Sequence, residues 1–200
     1  MRSKLWLGLC VLHAVASMLV WWAGEPWAWD LTWRADHWLH RPWTLWTTAW
    51  VHIHTPHLIG NQLAVGALAA VAWLLRPGLG AALAWLVAWP LLPLTLLWWP
   101  QVGYCVGLSG LVHAAVAVVG VHLIWGAAPI RKGQQWGGIL LGGLLIKLAV
   151  EQAWQWPVVW DDAANMSVVR AAHLAGAGLG GVLAGGHLFL SAQWRRVFPP

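Results

Sequence analysis

A chain of 200 residues would ordinarily make one soluble domain, but this one is 60% hydrophobic and only 8% charged, with a mean hydropathy of +0.64. Its 11 Lys and Arg and 6 Asp and Glu cannot clothe a globule in water, whose surface needs about a quarter or more of its positions charged, so lipid must do the covering. The formal charge of +5 is spread too thinly for a nucleic-acid surface, and two cysteines, Cys10 and Cys105, make no disulfide framework.

Apolar runs long enough to cross a hydrocarbon core of ~30 Å, about 20 residues each, cover 5–23, 57–75, 79–99, 107–125, 136–154 and 168–190. They predict an all-α membrane protein of six spans in a single domain over 1–200. The first run opens on Arg2 and Lys4 like a signal peptide, but no convincing small-residue cleavage site follows, so it is expected to stay as a helix. The outer connection, 24–56, is long, and nine of the 21 tryptophans lie between Trp21 and Trp50. Trp prefers the membrane interface, so this loop is expected to lie half sunk in the outer leaflet as an aromatic belt. Cytoplasmic connections carry the excess of Lys and Arg. With the N-terminus inside, Arg2, Lys4, Arg76, Arg131, Lys132, Arg195 and Arg196 fall inside, against Arg34, Arg41 and Arg170 outside. Both termini are therefore expected in the cytoplasm. No repeat, second domain or inverted pair of broken helices is visible, which argues against a small transporter.

Intramembrane polar side chains cost a few kcal/mol if they face lipid and are functional candidates by default. Three groups stand out: His57 and Asn61 at the start of the second span, Ser109 at the start of the fourth, and His173 near the start of the sixth. Counted from the cytoplasmic border at ~1.5 Å per residue, Asn61, Ser109 and His173 lie about 21, 24 and 26 Å up. An amide, a hydroxyl and an imidazole thus reach one layer, several Å below the outer face. Serine is a weak attacker unless a base takes its proton, so Ser109 with His173 makes a nucleophile–base dyad. The developing oxyanion needs preorganised donors. The Asn61 amide, the His57 ring, the Ser109 backbone N–H and the Gly107-Leu108 turn before it are the candidates. Gly176 and Gly180 let the sixth helix lie close against a neighbour.

Lys147 and Glu151, four residues apart in the fifth span, are expected to pair along one helical face and neutralise each other; contact with a substrate carboxyl or a phospholipid headgroup is the other reading. His37, His40, His52, His54 and His57 match no helical metalloprotease spacing such as H-E-x-x-H, so no metal and no cofactor is expected, and interfacial hydrogen bonding accounts for them. His122 and His187 read as packing residues of the cytoplasmic half.

The stretch Trp43-Thr-Leu-Trp-Thr-Thr-Ala-Trp-Val-His52-Ile-His-Thr-Pro-His57-Leu-Ile-Gly-Asn61, then Gly107-Leu-Ser109-Gly110, then Ala172-His173-Leu-Ala-Gly176-Ala-Gly-Leu-Gly180 resemble, in this order, the motifs of the rhomboid intramembrane serine proteases. The resemblance covers nearly the whole chain and implies a six-helix core with a Ser109–His173 dyad. Thr44 stands where rhomboids commonly carry Arg, and His113 where many have an aromatic packed on the base, a resemblance that implies His113 stacks on or hydrogen-bonds His173. Gly-Leu-Ser-Gly-Leu-Val-His-Ala, with Ile146-Lys147-Leu-Ala-Val-Glu151-Gln152, is similar instead to the rhombosortase branch. That resemblance implies a bacterial inner-membrane enzyme whose site opens to the periplasmic side. It also implies membrane-anchored substrates that end in a Gly-Gly motif, a hydrophobic helix and a basic tail. Two alternatives stay open: a general rhomboid protease with other substrates, and a rhomboid-derived protein that binds membrane helices without cutting them.

Overall fold

A computed structural model describes residues 4–125, 130–162 and 165–198; Arg2, counted above among the inner charges, lies outside them. The described chain is all-α in character, with eight helices. They are α1 (Lys4–Ala23), α2 (Glu25–Leu31), α3 (Thr44–Thr47), α4 (Thr55–Leu75), α5 (Leu79–Thr95), α6 (Ser109–Ile124), α7 (Gly133–Glu151) and α8 (Arg170–Val197). Two short antiparallel ribbons accompany them. β1 (Trp33–Arg34) pairs with β2 (Tyr104–Cys105), and β3 (Val159–Asp161) with β4 (Met166–Val168). Four stretches are long and apolar enough to cross a membrane: Lys4–Ala23, Thr55–Leu75, Leu79–Trp98 and Arg170–Trp194. Of the other two expected spans, α6 is apolar but has 16 residues, and the 19 residues of α7 include Lys147 and Glu151.

Local chemistry explains where the helices start and stop. Extended His54 followed by Pro56 opens α4, and Arg76 at φ 47 closes it one residue before Pro77. Pro90 and Pro93 sit inside α5, which tightens into a 3-10 turn over Leu96–Trp98. Proline removes a backbone donor and crowds the preceding turn. The fourth expected span begins at Ser109 rather than 107, because Gly107 turns the chain at φ +97, a region that suits glycine alone. The last helix runs on to Val197 instead of stopping at 190, since no helix breaker intervenes before Pro199.

Helix α6 is the hub, packed on α4, α5, α7 and α8. Its sequence is apolar on every face, and twelve of its 16 residues are buried, the pattern of a helix enclosed by others. Small residues set its distance from α8. A Cβ at Gly176 would overlap the Gly110 carbonyl oxygen, one at Gly180 would overlap that of Ala114, and one at Gly110 would stand 2.7 Å from the Ala172 oxygen. Elsewhere, tryptophans tie segments together. Trp6 Nε1 donates to Leu68 O across α1 and α4 (3.1 Å), Trp85 Nε1 to Leu111 O across α5 and α6 (3.0 Å), and Trp89 Nε1 to Trp46 O (2.7 Å).

The connection between α1 and α4 is folded. Thr47 Oγ1 donates to Leu31 O (2.8 Å), Trp43 Nε1 to Asp30 O (3.2 Å), and Arg41 pairs with Asp30 (2.7 Å). Trp33 is wholly buried under it, although Trp27, Trp29, Trp43 and Trp46 remain exposed. Thr44 is buried with its hydroxyl on Arg41 O (2.7 Å).

The crossing of α6 and α8 gives a direct expectation. Gly176→Ala should cost about 1–3 kcal/mol, as overpacking does, because the obstructing atom is backbone and cannot rotate away. Gly178→Ala, with nothing within 4 Å of its added Cβ, should leave the melting temperature in detergent unchanged or slightly raised.

Candidate active site

Ser109 is the first residue of α6, where backbone N–H groups have no intrahelical partners. Its hydroxyl lies 3.0 Å from Nε2 of His173, which sits one turn into α8. Nδ1 of His173 is 3.0 Å from both carboxylate oxygens of Glu151, the last residue of α7. With Nδ1–H donating to the carboxylate, Nε2 carries the lone pair and accepts from the Ser109 O–H. Lys147, one turn before Glu151, donates to the same carboxylate. The Lys147–Glu151 pair expected from sequence is present, but it does not close on itself, because the same carboxylate also meets the imidazole of His173.

His113 follows Ser109 by one turn and lies flat on His173, ring centroids 4.3 Å apart and planes within 11°. Its Nδ1–H donates to Ser109 O (2.6 Å). His113, Glu151 and His173 could together be read as cation ligands, since their donor atoms lie within 4.8 Å of one another. Stacked rings, however, point their lone pairs in parallel planes rather than towards a common centre, and His173 already has a partner on each nitrogen.

Asn61 is buried in α4, and its amide nitrogen donates to Nε2 of His52 (2.9 Å), whose own Nδ1–H donates to Trp50 O (3.1 Å). This chain fixes which end of the amide is the donor and leaves the second N–H of Asn61 for the cavity it lines. His57 stands one turn earlier on α4, edge-on to His52 at 4.9 Å, with its Nδ1 buried and unpartnered among the described residues. The His57 ring occupies the space that a side chain at Gly107 would need.

Gly107 was a candidate donor. Its amide is instead committed to Thr48 O (3.0 Å), so what it supplies is a sharp turn and room for His57. Leu108 is buried, and its carbonyl accepts from Val112 N (2.9 Å) as the first bond of α6. Thr48 was not singled out by sequence reasoning, yet it organises this turn. Its hydroxyl accepts from Trp33 N (3.0 Å) and donates to Cys105 O, while its carbonyl holds Gly107. One Thr of three in the Trp43–Trp50 stretch carries no signal that sets it apart from Thr44 and Thr47.

Ser109, His173, His57 and Asn61 line one cavity of about 330 Å³, together with Val106 and Asp161 of β3. That volume suits a few residues of extended peptide or a small molecule. Cys105 also lines it, but burial pushes its thiol up to about 12, so it stays protonated and inert. His54 borders the cavity, whereas His37 and His40 face each other at 5.9 Å in the connection between α1 and α4. His122 and His187 pack face to face at 6.0 Å, the latter against Gly80, and take no part in the site.

The arrangement is a nucleophile, a base with a defined tautomer, a carboxylate behind the base, and amide donors opposite. Such a constellation can perform acyl transfer. No protein-family model matches the chain, and no curated protein matches it.

Burial pushes His52 down to about 4, against about 6.5 unfolded. The unfolded chain therefore binds the extra proton first. Its contribution to stability should be intact above about pH 6.5 and lost as pH falls towards 4. Thermal melts across that window should show a smaller loss in His52→Gln than in wild type.

Proposed function

We propose that this chain is an intramembrane serine endopeptidase of rhomboid type, with Ser109 as nucleophile and His173 as general base and then acid. The observation that carries the reading is the 3.0 Å contact between Ser109 Oγ and His173 Nε2 in the lining of a cavity, in a chain whose helices are long and apolar enough to cross a membrane. Helices α1 and α4 to α8 would be the six spans, with both termini in the cytoplasm. At 16 residues, α6 is about 24 Å long, short of a ~30 Å core. Its N-terminal serine would therefore lie recessed below the outer, periplasmic face of a bacterial inner membrane.

In the reaction, Ser109 Oγ attacks a substrate carbonyl carbon as its proton passes to His173 Nε2. The oxyanion is held by Asn61, by the Ser109 backbone N–H and by His57. Collapse breaks the C–N bond, and His173 gives its proton to the departing amine. Water then attacks the acyl-serine with the same proton transfers reversed. An amine in place of water would give transpeptidation through the same intermediate.

The resemblance to rhombosortases directs the substrate class: exported proteins with a Gly-Gly motif, an apolar helix and a basic tail. A recessed serine reaches only peptide bonds near a helix end. Gly-Gly there unwinds readily, since each Gly costs a helix roughly 1 kcal/mol against Ala.

Detergent-solubilised protein should cleave such a substrate near the Gly-Gly, and Ser109→Ala should abolish both cleavage and labelling by a fluorophosphonate. Labelling without cleavage would keep the enzyme and discard the substrate class; neither, in folded protein, would favour the helix-binding alternative. Asn61→Ala should lower kcat about 100- to 1,000-fold, and unchanged turnover would remove Asn61 from the oxyanion site. Mass spectrometry of the new C-terminus would separate a free carboxylate from an added amine.

A further inference from the structure

Glu151 is the feature that the dyad reading does not use. Its carboxylate meets the Nδ1 edge of His173 with both oxygens at 3.0 Å, a symmetry that an incidental neighbour would not need. The backbone around it is clamped as well. Arg170, three residues before His173 on α8, donates from its guanidinium to Glu151 O (2.8 Å), so the end of α7 is tied to the start of α8 beside the base. Lys147 supplies the compensating cation from the exposed side of the carboxylate: its side chain is 47% exposed against 17% for Glu151.

We propose that Glu151 is a positioning residue that makes the catalytic unit a Ser109–His173–Glu151 triad, with Lys147 as the cation that balances it. This rests on the serine-protease reading above and deepens it.

Two constraints together fix the ring. The stack on His113 sets its plane, and the carboxylate sets its rotation within that plane and keeps the proton on Nδ1. Nε2 is thereby left as the acceptor, aimed at Ser109 Oγ. When Nε2 takes the serine proton, the imidazolium forms with Nδ1–H still donated to Glu151. The carboxylate stays ionised and receives no proton, and the proton on Nε2 leaves with the amine. The groups that face His173 are Ser109 and His113 from α6, Glu151 and Lys147 from α7, and His57 from α4, with Asp161 of β3 lining the same cavity. Among the described residues, Glu151 is the carboxylate in contact with the imidazole, Lys147 is the cation on that carboxylate, and the Arg170 guanidinium is a second permanent cation, held on the Glu151 carbonyl oxygen.

The test is the rate of Ser109 labelling by a fluorophosphonate across pH, on full-length protein in detergent. It needs no knowledge of the substrate. Glu151→Gln removes the negative charge and inverts the hydrogen-bond preference at Nδ1. Labelling at neutral pH should fall about 100- to 10,000-fold, and the acid limb of the profile should move to lower pH, because protonating the ring is harder without the carboxylate. Glu151→Asp should recover part of the rate and return the limb towards wild type. Lys147→Gln removes the balancing cation, so its limb should move the opposite way, to higher pH. A packing defect would lower amplitude without moving the limbs in opposite directions.

Wild-type rates and limbs in both Glu151→Gln and Lys147→Gln would overturn the triad and leave the Ser–His pair standing. Absence of labelling in folded wild type would overturn the protease reading and the triad with it. Should Glu151→Gln fail to fold, Lys147→Gln decides alone: a limb moved to higher pH supports the triad, and an unmoved one overturns it.

Discussion

Ser109 and His173 stand 64 residues apart on different helices, and the hydrogen bond between them depends on how closely α6 and α8 approach. In a membrane, helices gain nothing by hiding apolar surface from one another. Close packing of small residues and interhelical polar contacts hold them together. Here Gly110, Gly176 and Gly180 let the two backbones touch. A crossing about 1 Å looser, as larger side chains would impose, would carry the serine beyond hydrogen-bond reach of the imidazole. The glycines are thus as much part of the candidate site as the serine and the imidazole they bring together, and α5 and α7 press on the same hub.

The second constraint comes from outside the bundle. The segment between α1 and α4 buries Trp33, pairs β1 with β2, and places Thr48 where its hydroxyl and carbonyl bind the chain just before Ser109. That turn delivers Gly107 with a positive φ, which clears space for His57, and it starts α6 at the serine. The same segment supplies His52, which orients the Asn61 amide. The Asn61 and Ser109 sides of the cavity therefore both take their shape from one stretch of chain.

Much of this is legible in residue order alone. Helical rise places Asn61, Ser109 and His173 at one level, and all three line the cavity; His113 stacks on the imidazole as the resemblance to rhomboids implied. Other features lie beyond any counting along a helix. That Glu151 faces His173 depends on how the end of α7 is rotated against α8, and an i,i+4 partner in Lys147 offers a complete local explanation that hides the distant one. Tryptophan misleads in a similar way. An interfacial belt accounts for the exposed rings, whereas Trp6, Trp85 and Trp89 spend their indole N–H groups on carbonyls of other segments. Composition cannot tell a belt from a strut. Gly107 shows the converse: its place before the serine marks it as important, but its amide is already bound to Thr48.

Charge in a low-dielectric site must be balanced at every stage of a reaction, because an uncompensated ion there is costly. At rest the proposed unit holds the Lys147 cation, the Glu151 anion and a neutral imidazole, which sum to zero. In the tetrahedral intermediate the imidazolium and the oxyanion appear together, one beside Glu151 and the other beside Asn61, and the sum is again zero. The dipoles that receive the new charges are held beforehand by helix ends and by hydrogen bonds that do not need to change. A bare Ser–His pair would also create the two charges together, but the cation would form with no anion behind it. The ion pair on α7, which looks self-sufficient in the sequence, thus leaves the resting site neutral while keeping a carboxylate where the transient cation arises.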